Sequence, residues 1–159
     1  MKAYLNYEGL EVLAHRGGAD ESHENTLESF EYSINLGCNF IETDTQVSSD
    51  GIPYIFHDDD LKRICNISSR FDSLSSNEID KLKIFGDHKI PSLEETLNLF
   101  PETSFQIDFK TDEVANPALE VIKKTNSTNR VCVASFNSDR LERVRDKNPE
   151  LCISMGPNE

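Results

Sequence analysis

Basic residues are scarce in this sequence. Sixteen Lys and Arg stand against twenty-nine Asp and Glu, a formal net charge of −13. Such a surface repels nucleic acid and anionic membranes. It repels an anionic substrate too, unless a metal ion or a local Arg or Lys reverses the field inside a cleft, so divalent cations are a natural partner class. Long apolar runs are also missing. No window approaches the length of a transmembrane span, and no basic segment followed by an apolar one opens the chain. The expectation is a soluble, cytoplasmic protein. Cys38, Cys65, Cys132 and Cys152 form no CxxC or CxxH pair, which points to reduced, mostly buried thiols rather than a zinc site or disulfides. There is no G-x-G-x-x-G or G-x-x-x-x-G-K fingerprint for a dinucleotide or P-loop, and no G-x-S-x-G elbow for a serine nucleophile.

What is present is an alternation of short strands and amphipathic helices, in 159 residues that suffice for one domain with a real core. "EVLAH" (11–15) reads as a strand. In "NTLESFEYSINLG", Asn25 is the expected N-cap with Glu28 at the third helical position, Leu27, Phe30 and Ile34 form the apolar stripe, and Gly37 suits the stop. "NFIETD" (39–44) and "IPYIFH" (52–57) are strands separated by the turn "SSDG". Their link is too short for a helical crossover, so either the two are antiparallel or the chain descends as an extended segment. Residues 58–90 look irregular, with a helix near 75–84. Ser92 and Glu95 then open a helix, 104–110 is a strand, and Asn116–Pro117 start the next helix. A strand at 130–136, a helix from Ser138 stopped by Pro149, and a strand at 151–155 complete the series. This order implies a parallel sheet covered by helices.

Unusual polar residues gather at the strand ends, the edge where α/β folds bind ligands. His15 and Arg16 end the first strand, Glu42 and Asp44 the second, His57 and Asp58 the third, Asp108 and Lys110 the fourth. Two apart on a strand, Glu42 and Asp44 point to the same side. They suit Mg²⁺ or Ca²⁺, with Asp108 as a third carboxylate, or they form an ordinary solvated strand end. His15 and His57 suit an acid–base pair, or hydrogen-bonded caps. Arg16 and Lys110 suit phosphate contacts, or ion pairs with Glu24 or Asp108. His23 and His88 read as surface or supporting residues.

"AHRGG…ENTLESF", "IETDTQVSSDGIPYIFHDDDLKR", "PSLEETL", "QIDFK" and "SFNSDRLERVRDKNPEL" resemble the successive motifs of the glycerophosphodiester phosphodiesterase family, in that family's order and over essentially the whole chain. The resemblance implies an α/β TIM-type (β/α) barrel, here incomplete, with about six of eight strands. Residues 1–159 would be the N-terminal two-thirds of the barrel domain, since a full barrel takes about 250 residues. It implies metal-dependent hydrolysis of glycerophosphodiesters to sn-glycerol 3-phosphate and an alcohol, with His15 and His57 as acid and base. Glu42, Asp44 and Asp108 would bind one divalent cation, Mg²⁺ or Ca²⁺. Arg16 and Lys110 would contact phosphate, and Glu24 and Asn25 would line and support the site. The departures are Asp108 where the family usually has Glu, His23 where it commonly has Pro, and the length. Open barrel edges would favour self-association. The competing readings are a phosphodiesterase for lysophospholipids, which a greasy entrance near 58–90 would favour although the apolar residues there are scattered, and a catalytically inactive truncated relative with a binding or regulatory role.

Overall fold

A computed structural model of the chain describes residues 2–154. A six-stranded sheet carries the fold: β1 (Leu13–His15), β2 (Phe40–Val47), β3 (Pro53–Ile55), β4 (Ser104–Phe109), β5 (Val131–Ala134) and β6 (Cys152–Ile153). Five strands run parallel in the order β1-β2-β4-β5-β6, while β3 pairs antiparallel with β2, off that path. The short link after β2 is therefore a hairpin connection. Among the described residues six α-helices accompany the sheet: α1 (Leu27–Asn35), α2 (Lys62–Cys65), α3 (Ser76–Ile79), α4 (Leu93–Leu99), α5 (Asp112–Lys124) and α6 (Ser138–Lys147). Strand–helix alternation with a parallel wall is the (β/α) barrel arrangement. The wall is not closed among the described residues, because β1 and β6 each have one sheet neighbour. The expected strand at 151–155 is seen as β6, and its end at Met155 lies outside the described residues.

Alternation along each strand sorts the two faces. Ile41, Phe105, Ile107, Phe109, Val131 and Val133 turn outward into the main core, where Phe30 of α1, Leu93 and Leu97 of α4, Val114 and Ala118 of α5, and Leu141 and Val144 of α6 cover them. Residues 53–90 carry a second apolar centre of Tyr54, Phe56, Leu61, Phe71, Ile79, Ile84 and Ile90. At the lower end of the inner face, Tyr4 and Tyr7 each meet the Phe40 ring edge-on at 5.2 Å, beside buried Cys132 and Cys152. All four cysteines are free thiols, with Cys132 and Cys152 adjacent in register on β5 and β6.

Three local expectations are corrected. The N-cap of α1 is Thr26, which accepts from the Ser29 amide at 3.1 Å. Asn25 cannot serve, because it is held at φ +57° with its side chain committed elsewhere. Helix α5 starts at Asp112 with Thr111 as cap, and Pro117 lies inside it rather than at its start. The acidic pair Asp112–Glu113 in the first turn and Lys123–Lys124 in the last suit the helix dipole and help offset the amide that Pro117 lacks. Near 75–84 only Ser76–Ile79 is helical.

Candidate active site

Register sets the site. His15 pairs with Glu42, Glu42 with Gln106, and Asp44 with Asp108. With Glu42 and Asp44 on the same face of β2, the alternation aims His15, Glu42, Asp44, Gln106 and Asp108 at one space. That space is a cavity of about 500 Å³, lined by these five with Arg16, His57, Lys110, Ala134, Ser135, Phe136 and Ser154. Seven of the nine residues singled out in the sequence thus meet around one cavity. Glu24 and Asn25 are not among the lining side chains.

Asn25 works behind the wall. It is 3 % exposed; its Nδ2 donates to Asp44 Oδ2 at 2.9 Å, and its Oδ1 accepts from Thr43 Oγ1 at 2.8 Å. Arg16 is tied to β2 through its backbone amide, which donates to Glu42 Oε2 at 3.1 Å. Its Nε lies 3.2 Å from Asp44 Oδ2 as an ion pair without hydrogen-bond alignment, and its Nη1 donates to Glu24 Oε1 at 3.3 Å. Gly17, at φ +76°, lets the turn after Arg16 press onto α1. A Cβ there would sit 2.5 Å from Ser29 Oγ and 2.6 Å from Phe30 Cδ1. Gly17→Ala is therefore expected to lose about 1–3 kcal/mol of stability through overpacking at a positive φ, read as a lower urea midpoint; an unchanged midpoint would show that the turn is not packed in this way.

Lys110 follows β4, and its Nζ bridges Asp44 Oδ1 at 2.8 Å and Asp108 Oδ2 at 2.7 Å. Partial neutralisation does not extend to Glu42. Burial, and then the neighbouring Asp44 charge, push its carboxyl up to about 7, against the Arg16 amide and guanidinium. Asp108 Oδ1 is buried with no hydrogen-bond partner among the described residues. These carboxylates offer hard oxygen donors, the ligand type of Mg²⁺ and Ca²⁺. With the Lys110 ammonium between Asp44 and Asp108, no three His, Cys, Asp or Glu side chains among the described residues are gathered to hold an ion as they stand.

His15 reaches the cavity from the end of β1, with Nε2 3.9 Å from Glu42 Oε2 and a side chain 68 % exposed. His57 comes from the opposite rim, two residues past β3. Its Nδ1 lies 2.7 Å from Asp58 Oδ1. Hydrogen bonds from Arg63 and then from His57 hold the Asp58 carboxyl below the usual range, outweighing its burial. An ionised carboxylate only accepts, so Nδ1 carries the proton and Nε2 is left for the cavity. Gln46 steadies this loop, its Nε2 donating to the Asp58 carbonyl at 3.1 Å and to Asp59 Oδ1 at 3.2 Å. Gln46 is not a candidate by residue type, although the two-residue alternation from Glu42 and Asp44 leads directly to it. His23 and His88 lie away from the cavity lining, joined to each other at 3.0 Å, with His23 stacked on Phe85 and His88 paired with Glu28.

The described residues contain no helix long and apolar enough to cross a membrane. A family model described as the glycerophosphoryl diester phosphodiesterase family matches residues 15–155. A glycerophosphodiester phosphodiesterase from Caldanaerobacter subterraneus is 32 % identical over 158 residues, covering 91 % of this chain and 65 % of that protein. The solved Thermotoga maritima glycerophosphodiester phosphodiesterase is 31 % identical with a TM-score of 0.75, over 86 % of this chain and 59 % of that one. An Oleispira antarctica phosphodiesterase, solved in complex with the product sn-glycerol-3-phosphate, is 26 % identical with a TM-score of 0.83, over 91 % and 64 %. The chain spans about half to two-thirds of the length of the curated relatives it matches.

Proposed function

This chain belongs to the glycerophosphoryl diester phosphodiesterase family, and on that premise we propose that it hydrolyses glycerophosphodiesters to sn-glycerol 3-phosphate and an alcohol. The observation that carries this reading is the convergence of two histidines, three carboxylates and two cations on one cavity at the carboxyl edge of a parallel sheet. In the proposed step, one histidine takes the proton of the attacking hydroxyl as its oxygen bonds to phosphorus. The bond from phosphorus to the leaving oxygen breaks, and the other histidine returns a proton to that oxygen. The attacking group is water or the glycerol 2-hydroxyl; with the latter, a cyclic phosphate forms and water opens it. Arg16 and Lys110 would meet the phosphate oxygens, with Glu24 holding Arg16 and Asn25 holding Asp44.

Electrostatics favour a divalent cation in this site. Once Glu42 is ionised, three carboxylates against two cations leave one negative charge facing an anionic substrate. A divalent ion held by Glu42, Asp44 and Asp108 would make the balance positive and polarise a phosphate oxygen. The unpartnered Asp108 Oδ1 and the uncompensated Glu42 fit such an ion, and Lys110 would then turn from the carboxylates towards the substrate. A glycerophosphodiester suits the cavity better than a lysophospholipid does. The apolar side chains of 58–90 pack with one another instead of lining an entrance, and among the described residues Phe136 is the one large exposed apolar side chain in the cavity lining.

The decisive experiment is release of glycerol 3-phosphate from glycerophosphocholine by the purified chain with Mg²⁺ or Ca²⁺, beside His15→Ala and Glu42→Ala. Cation-dependent turnover by the wild type alone is expected. A folded but inactive wild type would instead favour the non-catalytic reading. Sedimentation of the same sample tests self-association through the open edges, where Leu10 and Val12 before β1 and Leu13 at its start are exposed; a dimer is expected, and a strict monomer would remove that proposal.

A further inference from the structure

Arg63 takes no part in the cavity lining, yet it is the junction of the two rims. Its Nε and Nη2 donate to Asp58 Oδ2 and Oδ1 at 2.7 and 2.9 Å, and its Nη1 and Nη2 donate to Glu24 Oε2 and Oε1 at 3.0 and 2.6 Å. One guanidinium therefore forks two carboxylates at once. Asp58 holds His57 Nδ1, and Glu24 holds Arg16. We propose that Arg63 is a positioning residue that fixes the His57 ring and the Arg16 guanidinium relative to each other by clamping Asp58 to Glu24 across the mouth of the site. The proposal rests on the catalytic reading of His57 given above.

An exposed ion pair ordinarily contributes little, and the Arg63 side chain is 48 % exposed. The exception is a bidentate network, and both partners here are mostly buried, at 13 % and 18 % side-chain exposure. The local fold is built to present this side chain. Helix α2 is a single turn of four residues, ended by Asn66 in the left-handed region at φ +55°. It is anchored by the fully buried Leu61 immediately before it. Glu24 lies in the loop after β1 and Asp58 in the loop after β3, so no strand pairing or helix contact joins them directly. Both carboxyls are held below their usual range, with hydrogen bonding to Arg63 as the largest cause. Lysine can bridge two carboxylates by single contacts, as Lys110 does, but its ammonium has no planar fork to hold both oxygens of each.

The test compares wild type with Arg63→Met and Arg63→Lys, with Arg70→Met as a control that removes an exposed arginine whose side chain forks Asp72 on the surface. Two readouts are taken: kcat and KM for glycerophosphocholine, and the side-chain ¹⁵N shifts of His57, which report its tautomer without any turnover. Arg63→Met is expected to lower kcat by about 10–100-fold, the scale of a misplaced catalytic group, with KM within about twofold, and to convert His57 from the Nδ1–H tautomer to a mixture. Arg63→Lys should recover only part of either signal, and Arg70→Met should match wild type. A His57 that keeps its tautomer in Arg63→Met overturns the proposal, as does a kcat equal to wild type. If the wild type has no turnover, the function proposed above fails by itself, and the tautomer still decides whether Arg63 positions His57.

Discussion

Replacing His57 by alanine is expected to lower kcat for glycerophosphocholine by about 10²–10⁴-fold while leaving the fold intact, the usual contribution of one positioned acid or base. The side chain is partly exposed at the rim, so its loss opens no cavity in either apolar core. Its Nδ1 is already bonded to Asp58, so in the proposed mechanism proton exchange with substrate would fall to Nε2. The same logic applies to His15, whose Nε2 lies beside Glu42 Oε2. If both rings act in one displacement, one taking a proton while the other gives one, either deletion disables the same step. The His15→Ala/His57→Ala double variant should then be little slower than the worse single variant, because residues acting as a unit are strongly non-additive. Rates that multiply across the two variants would show independent roles and sink the paired mechanism. Circular dichroism and urea midpoints near wild type must accompany the loss.

The strand ends were legible in the sequence because the period of two is rigid: once Glu42 sits on the inner face, Asp44 must follow it. That reasoning extended to Asp108 and His15 through the parallel order of the strands. Register was not legible. Nothing local says that Asp44 and Asp108 face each other, or that Lys110 bridges them. The capping error at "ENT" has a similar cause. Asn and Thr are both good caps, and the choice fell to Thr26 because the side chain of Asn25 is spent on Asp44 and Thr43, contacts made only after β2 docks. Proline is favoured in a first helical turn, which points to Pro117, whereas this helix is capped by Thr111 and tolerates Pro117 further in. The segment 58–90 looked irregular since its apolar residues follow no period. They close on one another around Phe71 and Leu61, and Arg63 meets partners 5 and 39 residues away in the chain. No periodicity announces such a junction.

Without a divalent cation, the protein is expected to lose stability as pH rises from about 4.5 to about 7, and Glu42→Gln is expected to remove that loss. The Glu42 carboxyl is raised from its ordinary 4.5 to about 7, by burial first and by Asp44 second. Below 4.5 it is protonated both folded and unfolded, and contributes nothing to the pH dependence. Between the two values the folded state keeps a proton that the unfolded state releases, so stability falls with rising pH; above about 7 the loss is complete. A shift of this size corresponds to about 3 kcal/mol. Glutamine mimics the protonated form, so at pH 8 and without metal Glu42→Gln should be the more stable protein, and at pH 4 the two should coincide. Glu24 and Asp58, whose carboxyls are held low by Arg63, titrate with the opposite sign at lower pH and cancel in the difference between the two proteins. Adding Mg²⁺ or Ca²⁺ at pH 8 should then raise the wild-type midpoint, since an ion that binds only the folded state stabilises by mass action, and should raise the Glu42→Gln midpoint far less. Parallel stability curves for the two proteins from pH 4 to 8 would show that the Glu42 charge is already compensated. A cation response of equal size in both would place the ion away from Glu42.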